Sequence, residues 1–377
     1  MTNSDDAHGA AGALAGVRVL DLSRLLPGPF CTQLLCDLGA DVIKVEDPHG
    51  GDYLRYTPPL AADGTSVVFH ALNRGKRSVA LNLKLDADRE RFLRLCDSAD
   101  VVVESFRPGV LTKLGLSFDV LQARNPRLVC CAITGYGDAP SARRLRAGHD
   151  VNYVATSGAL GLMATPTLLP VQVADLAGGA WPAAMQICAA LVGRARTGRG
   201  AVIDVSMTAG VMGLLTMPLG RAAAGEDIDG GIDLLVGKVP CYGVYATKDG
   251  FVTVGALEPK FWAALCAGID RADLADRGFD DDGAAHAALQ EALATKTTAE
   301  WQRVLAAADC CVEPVRSVAE VASDDTTPYV DIVLDGDAGV VRCFTLGLGV
   351  KNHAPARGRA PALGEHTAAL CDDVTNR

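Results

Sequence analysis

At 377 residues the chain is longer than one compact core usually reaches, so two lobes or one elaborated α/β domain are expected. Its net charge of −10 argues against a nucleic-acid backbone as partner, and Gly, Pro or charge breaks every apolar run short of the roughly 20 residues that span a bilayer. Met1 to Gly16 has neither the basic start nor the apolar middle of a signal peptide; a cytoplasmic protein with no membrane association is the expectation. The twelve cysteines form no CxxC, and Cys130-Cys131 and Cys310-Cys311 read as small buried hydrophobes with free thiols.

Val17 to Leu22 is a short β-rich run. Gly28 and Pro29 break it, Phe30 to Leu38 carries Leu34, Leu35 and Leu38 at helical spacing, and Asp41 to Glu46 is the next strand. That βαβ unit predicts an α/β fold with a parallel sheet. The turn Leu26-Pro27-Gly28-Pro29 lacks the second and third glycines of a dinucleotide fingerprint, which counts against a nicotinamide enzyme. Ser78 to Leu83, Ala99 to Glu104 and Leu128 to Ile133 continue the strands, with a charged amphipathic helix over Asp86 to Cys96. Glu104 to Gly109 then forms a loop at a strand's carboxyl end, where open α/β sheets bind ligands. Arg74, Lys76, Arg77, Lys84, Arg107 and Lys113 make a cationic set that reads either as an anion site or as a solvated face.

Asp175 to Arg194 is a long helix with Gly178-Gly179 in its first turn, and Ala201 to Val205 is a strand. Gly- and Asp-rich texture from Gly225 to Gly237 marks a linker into a smaller lobe. There, Tyr242 to Val254 is a hairpin turning on Asp249-Gly250, followed by helices near Phe261 to Gly268, His286 to Ala294 and Ala299 to Ala308. Pro-rich segments at Pro328 and Pro355 to Pro361 return the chain. The expected domains are 1–210 for the N-terminal part of a large domain, 225–325 for a small one, and 330–377 completing the large one.

Three residues stand out chemically. His149, after Gly148 and before Asp150-Val151-Asn152, reads either as a turn residue or as a proton-transfer group beside a helix start whose amides can face a carbonyl oxygen. Asp175 reads either as a helix N-cap, which would lower its pKa, or as a nucleophile or base. Glu258, before Pro259, suits a helix start and could also orient a histidine.

The motifs Gly28-Pro29, Leu38 to Glu46, Gly51-Asp52, Asn73 to Ser78, Glu104 to Gly109, Gly135-Tyr136-Gly137, Ala174 to Gly179 and Pro361 to Thr367 resemble those of the family III CoA-transferases, in order from about Gly16 to Thr367. The resemblance implies an interlocked homodimer, a Rossmann-like large domain built from both chain ends, a small central α+β domain, and acyl-CoA thioesters as substrates without metal or redox cofactor. Within the family, Gly148 to Tyr153, Asp175 and Glu258-Pro259-Lys260-Phe261 resemble the α-methylacyl-CoA racemase branch. Leu26 and His149 stand where the formyl-CoA type of transferase has glutamine and tyrosine.

The implied reaction is two-base proton transfer at the α-carbon by His149 and Asp175, with Glu258 holding the imidazole. The implied alternative is CoA transfer through an Asp175 acyl intermediate. Leu81, Asn82, Leu83, Lys84, Ser105, Phe106, Arg107 and Lys113 would line the CoA path, and Gly148, Asp150, Val151, Asn152 and Tyr153 the reacting end. Asp47 departs from relatives that carry an arginine near the nucleotide, and Met163 to Val173 is shorter and poorer in glycine.

Overall fold

The computed structural model describes residues 12–228, 230, 234–336, 339–345, 355–356 and 358–372. Most of the N-terminal leader, and parts of the 225–237 linker and the 355–361 proline segment, lie outside the described residues.

Six apolar runs become one sheet: β1 (Arg18–Asp21), β2 (Asp41–Glu46), β3 (Arg77–Ala80), β4 (Val101–Glu104), β5 (Val129–Thr134) and β6 (Val202–Ser206). Their spatial order is β3-β2-β1-β4-β5-β6, and every neighbouring pair is parallel. Helices cover such a sheet on both faces, which is why its central strands carry unbroken valine and leucine rather than alternation. Val101, Val102 and Val103 are all fully buried. The connecting helices are α1 (Pro27–Asp37), α2 (Val67–Asn73), α3 (Asp86–Asp97), α4 (Val110–Lys113), α5 (Phe118–Arg124), α6 (Asp150–Ser157), a π-helical stretch (Ala174–Ala180) running into α7 (Trp181–Thr197), and α8 (Met207–Leu214). Leu20, Ile43, Val79 and Val102 of the sheet pack with Phe92, Leu95 and Leu121 of α3 and α5.

Two boundaries differ from the sequence reading for local reasons. α1 starts at Pro27, not Phe30, because the first helical turn needs no amide donors and so accepts both prolines. Gly28 between them is obligatory, since a Cβ there would sit 2.1 Å from the Ser23 side chain. β3 ends at Ala80, not Leu83. The Leu81 amide still reaches Glu46 (2.8 Å), but Asn82 then accepts the Lys84 amide (3.1 Å) and turns the chain out of the sheet.

The span Ala174–Thr197 is a 24-residue helix long and apolar enough, by length and composition, to cross a bilayer, which the sequence reading did not foresee. Its first half is set into the protein, with Ala174, Gly178, Gly179 and Ala180 buried.

The chain folds as two units. The larger takes 1–157, 169–214 and 328–377; the smaller takes 158–168 and 215–327. The smaller unit holds α9 (Thr216–Ala223), the antiparallel sheet β7 (Tyr242–Ala246), β8 (Phe251–Gly255) and β9 (Val312–Pro314), and helices α10 (Pro259–Gly268), α11 (Ala284–Leu293), α12 (Thr298–Leu305) and α13 (Val318–Ala322). Trp262, Leu265, Leu289 and Trp301 fill its core, and both indoles donate to backbone carbonyls at 2.7 Å. The β7–β8 hairpin turns through Asp249-Gly250, with the Gly250 amide held by Thr247 Oγ1 (3.0 Å).

In the larger unit, β10 (Tyr329–Val333) and β11 (Val340–Phe344) pair as a hairpin whose buried face packs on Val67 and Ala71 of α2. Residues 359–367 then run along the outer edge of β3. The His366 amide donates to Ser78 O (2.8 Å), Ala80 donates to Thr367 Oγ1 (2.9 Å), and Gly364 donates to Ser78 Oγ (3.0 Å).

Candidate active site

The strand order reverses between β1 and β4, and the segments leaving the carboxyl ends of those two strands open a crevice, the usual ligand position of such sheets. A cavity of about 920 Å³ lies there. Leu22, Arg24 and Leu25 after β1, Ser105 to Pro108 after β4, and Thr134 to Tyr136 after β5 all line it. So do Leu81 to Lys84, Gly148, His149, Asn152, Tyr153 and Asp175. Every lining residue belongs to the larger unit.

His149 directly precedes α6 and is exposed to the cavity. Its amide donates to Asn152 Oδ1 (3.0 Å) while its carbonyl accepts the Asn152 amide (2.8 Å), a reciprocal lock at the helix start. Gly148 is required for a reason other than an open turn. The Tyr153 ring stands against it, a Cβ would fall 2.7 Å from that ring, and Tyr153 Oη donates to the Gly148 carbonyl (2.5 Å). A Cβ on Gly135 would likewise come within 2.2 Å of Tyr153. The same ring meets Tyr136 edge-on at 5.1 Å, so one buried tyrosine sets the position of the His149 turn.

Asp175 does not cap a helix. It lies one residue inside the wide π-helical turn, and its carboxylate accepts no hydrogen bond from a described residue. Its amide instead donates to Asp150 Oδ1 (2.9 Å), tying this turn to the first turn of α6. Burial and the adjacent Asp150 charge raise Asp175 from the ordinary carboxylate range to about 6, with His149 pulling the other way. That is opposite to the shift capping would give. Gly178 and Gly179 serve close packing: a Cβ on Gly178 would meet Met207 O at 2.5 Å, and one on Gly210 would meet Gly178 O at 1.9 Å. π-turns of this kind are frequent at functional sites.

The six-residue cationic set separates. Arg74 is buried against Asp37, Lys76 against Asp21, and Arg77 pairs with Asp41, so these three build the fold. Lys84 and Arg107 line the cavity, whereas Lys113, at the end of α4, is exposed and does not. Arg24, Arg144 and Arg146 also line it and were missed. Arg24 donates to Tyr53 Oη (2.8 Å) and lies over the Tyr53 and Phe106 rings. For Arg146 a signal was available, since it lies three residues before His149.

Beneath the cavity the charges are matched. Burial alone would raise Asp21, but Lys44 and Lys76, with hydrogen bonds from Ser23 and Thr32, bring it down to about 2. Lys44 Nζ pairs with Asp52 (3.0 Å), whose two carboxylate oxygens each accept the Leu25 amide at 3.1 Å. This clamp holds Leu25, a cavity residue, in the left-handed region at φ 65°. Glu46 accepts Arg55 Nε (2.9 Å), Arg55 Nη2 (2.6 Å) and Ser78 Oγ (2.7 Å). Asp47 lines the cavity and accepts the His49 amide (2.9 Å).

Asp150 and Val151 do not line the cavity; Asp150 acts through Asp175, and Val151 is exposed. Glu258 lies in the smaller unit, where it precedes α10 with Pro259 at the first turn and makes no side-chain cap. All twelve cysteines are free, but Cys311 is exposed rather than buried. It takes φ 54°, and its carbonyl accepts the Gly255 amide (2.9 Å), a turn that directs its side chain outward.

A cavity at the switch point of a parallel sheet, lined by a histidine and an ionisable aspartate, places two proton-transfer groups at the usual ligand position of an α/β fold. The family model described as CoA-transferase family III matches residues 14–367, and the chain belongs to that family. It is 35% identical to α-methylacyl-CoA racemase of Homo sapiens, over 96% of this chain and 93% of that one. It is 34% identical to succinyl-CoA:mesaconate CoA-transferase of Haloarcula marismortui, over 96% of each. The crystal structure of a CAIB/BAIF family protein from Brucella suis superimposes with a TM-score of 0.82 at 30% identity, covering 96% of this chain and 98% of that one. The family thus contains both racemases and transferases.

Proposed function

We propose that this enzyme racemises or epimerises the α-carbon of 2-methylacyl-CoA thioesters through an enolate. The observation that carries the reading is the state of Asp175: a cavity carboxylate without a hydrogen-bond donor among the described residues, raised to about 6 and within electrostatic reach of His149. Sulfur donates poorly into a thioester carbonyl, so the α-hydrogen is acidic enough for a base near neutral pH. In one direction the Asp175 carboxylate removes that proton and protonated His149 returns one to the opposite face; in the other the roles exchange. The enolate oxygen needs donors, and the His149 amide is already engaged by Asn152. The first-turn amides of α6 keep that assignment on the strength of the helix start alone, since Asp150 and Val151 do not line the cavity; such donors are worth about 3–4 kcal/mol each in comparable deletions.

Glu258 keeps its assignment as the carboxylate that orients His149, on the strength of its Glu-Pro-x-Phe context alone. The resemblance further supports an interlocked homodimer and a reaction without metal or redox cofactor. The test is incubation of a single 2-methylacyl-CoA epimer in heavy water with no second acid present. Deuterium entering the α-position supports the reading, and its absence removes it.

A second reading is favoured by the same undonated carboxylate and by the transferase among the relatives. Asp175 would attack the thioester as a nucleophile, expel CoA as thiolate and form a mixed anhydride. It predicts CoA exchange between two acids and inactivation by hydroxylamine in the presence of acyl-CoA.

A further inference from the structure

The two proposed proton-transfer groups are joined through one residue. Asp150 follows His149 in the chain, and its Oδ1 accepts the Asp175 amide at 2.9 Å. On the His149 side this link is fixed where Asn152 bonds His149 and Tyr153 bonds Gly148. On the Asp175 side it is fixed where Gly178 packs against Met207 and Val211 of α8.

A neutral oxygen would accept that amide too, so the hydrogen bond alone does not call for a carboxylate. An acid in the first turn also suits the dipole of α6, whatever its neighbour. What the charge adds depends on its distance from the Asp175 carboxylate. Bond lengths place an aspartate's carboxyl carbon at most about 4 Å from its own amide nitrogen, so the two charges lie within roughly 7 Å. At that range, in a half-buried site, a second negative charge makes Asp175 harder to ionise and therefore a stronger base.

Among the described residues, the other elements packed against the π-turn do not duplicate this charge. α8 carries no ionisable side chain. Asp37 of α1 pairs with Arg74, Arg194 of α7 pairs with Asp100, and Arg196 lies in the last turn of α7. Burial keeps the thiols of Cys31, Cys36, Cys130, Cys131 and Cys188 neutral, and Asp204 of β6 accepts the Asp138 amide (2.8 Å). On α6, burial and then the Asp175 charge push the Tyr153 phenol up to about 12 against the pull of Arg107, so it too is neutral. Only His149 opposes Asp150 at Asp175.

We propose that Asp150 is a positioning residue for the reaction, holding the Asp175 turn through its oxygen and strengthening Asp175 as a base through its charge. This rests on the proposed reaction at His149 and Asp175.

The test follows α-deuterium entry from each epimer of 2-methylbutyryl-CoA over about pH 4.5–8.5, for full-length wild type, Asp150→Asn and Asp150→Glu. The rise in kcat/KM due to Asp175, near pH 6 in wild type, should move down by about one pH unit in Asp150→Asn. A weaker base that ionises sooner makes the two curves cross. The Asn variant should be about twofold faster than wild type at pH 5 and about threefold slower above pH 7. Asp150→Glu, which keeps the charge, should hold the rise near pH 6. A loss uniform across pH, which a structural tie alone would give, overturns the inference, as does a Glu variant that behaves like Asn. If no deuterium enters from either epimer, the proposed reaction fails on this thioester, and carbon-13 NMR titration of the carboxyl groups still decides Asp150. There the Asp175 signal is assigned by its loss in Asp175→Asn. A midpoint lowered by at least about half a pH unit in Asp150→Asn upholds the inference, and an unmoved one overturns it. Asp150→Ser, which also offers a neutral oxygen, replaces the Asn variant in both measurements if that variant does not fold.

Discussion

Two groups of charged side chains lie at the carboxyl end of one sheet and are treated oppositely. Asp21, Lys44, Asp52 and Lys76 are fully buried, and each meets an opposite charge. Asp175, His149 and Arg146 share the cavity above, and none of their side chains forms an ion pair among the described residues. A buried ion that has all its partners fixes backbone; a half-buried carboxylate denied them, as at Asp175, holds its proton to higher pH. The difference separates charges that build this protein from those that can act.

The contrast can be tested most forcefully at Asp175. Asp175→Asn should lower α-deuterium exchange by about 10²–10⁴-fold without lowering stability. A folded pKa raised from 3.8 to about 6 means that ionising Asp175 opposes folding, a penalty absent below pH 4 and complete above pH 6. Urea denaturation should therefore find the Asn variant more stable than wild type at pH 7.5, by about 1–2 kcal/mol after allowing for partial solvent screening, and the gain should shrink towards pH 4. In the direction where Asp175 is the base, wild-type exchange should rise with pH through about 6.

The matched network should respond in the other sense. Asp52→Ala removes the salt-bridge partner of Lys44, which keeps Asp21 nearby and the Ser23 carbonyl, and frees the Leu25 amide, so it should cost about 3 kcal/mol of stability in the same denaturation experiment. A loss below about 1 kcal/mol would erase the distinction between the two groups. The smallest effect is expected at Tyr153→Phe, which removes one hydrogen bond to Gly148 and should cost about 0.5–1.5 kcal/mol, with a less than tenfold loss of exchange.

Where burial on both faces wrote uninterrupted apolar runs, as in Val101–Val103 and Val129–Ile133, the strands were legible in the sequence. Pro27-Gly28-Pro29 looked like an interruption because a break and a first helical turn use the same residues. Asp175 before two glycines looked like a cap; its real setting depends on Gly178 meeting Gly210 and on Asp150, contacts that local spacing does not carry. Arg74 and Lys76 were indistinguishable from Lys84 because their partners, Asp37 and Asp21, lie 37 and 55 residues upstream. His149 and Asp175 were nevertheless singled out by their local sequence, and the structure brings both to one cavity.

The strip 359–367 along β3 has a consequence for how the chain is made. Strands β1 to β6 are complete once residue 206 has been synthesised, yet the outer edge of β3 and the Arg55 guanidinium obtain Ser78–His366 and Arg55–Pro361 pairing (2.8 Å each) only some 150 residues later. Until then the nascent sheet presents an unpaired border to any neighbouring strand, an aggregation hazard that lasts through synthesis of the whole smaller unit. Ribosome-bound chains halted before residue 359 should therefore depend on chaperones more than chains carried past 367.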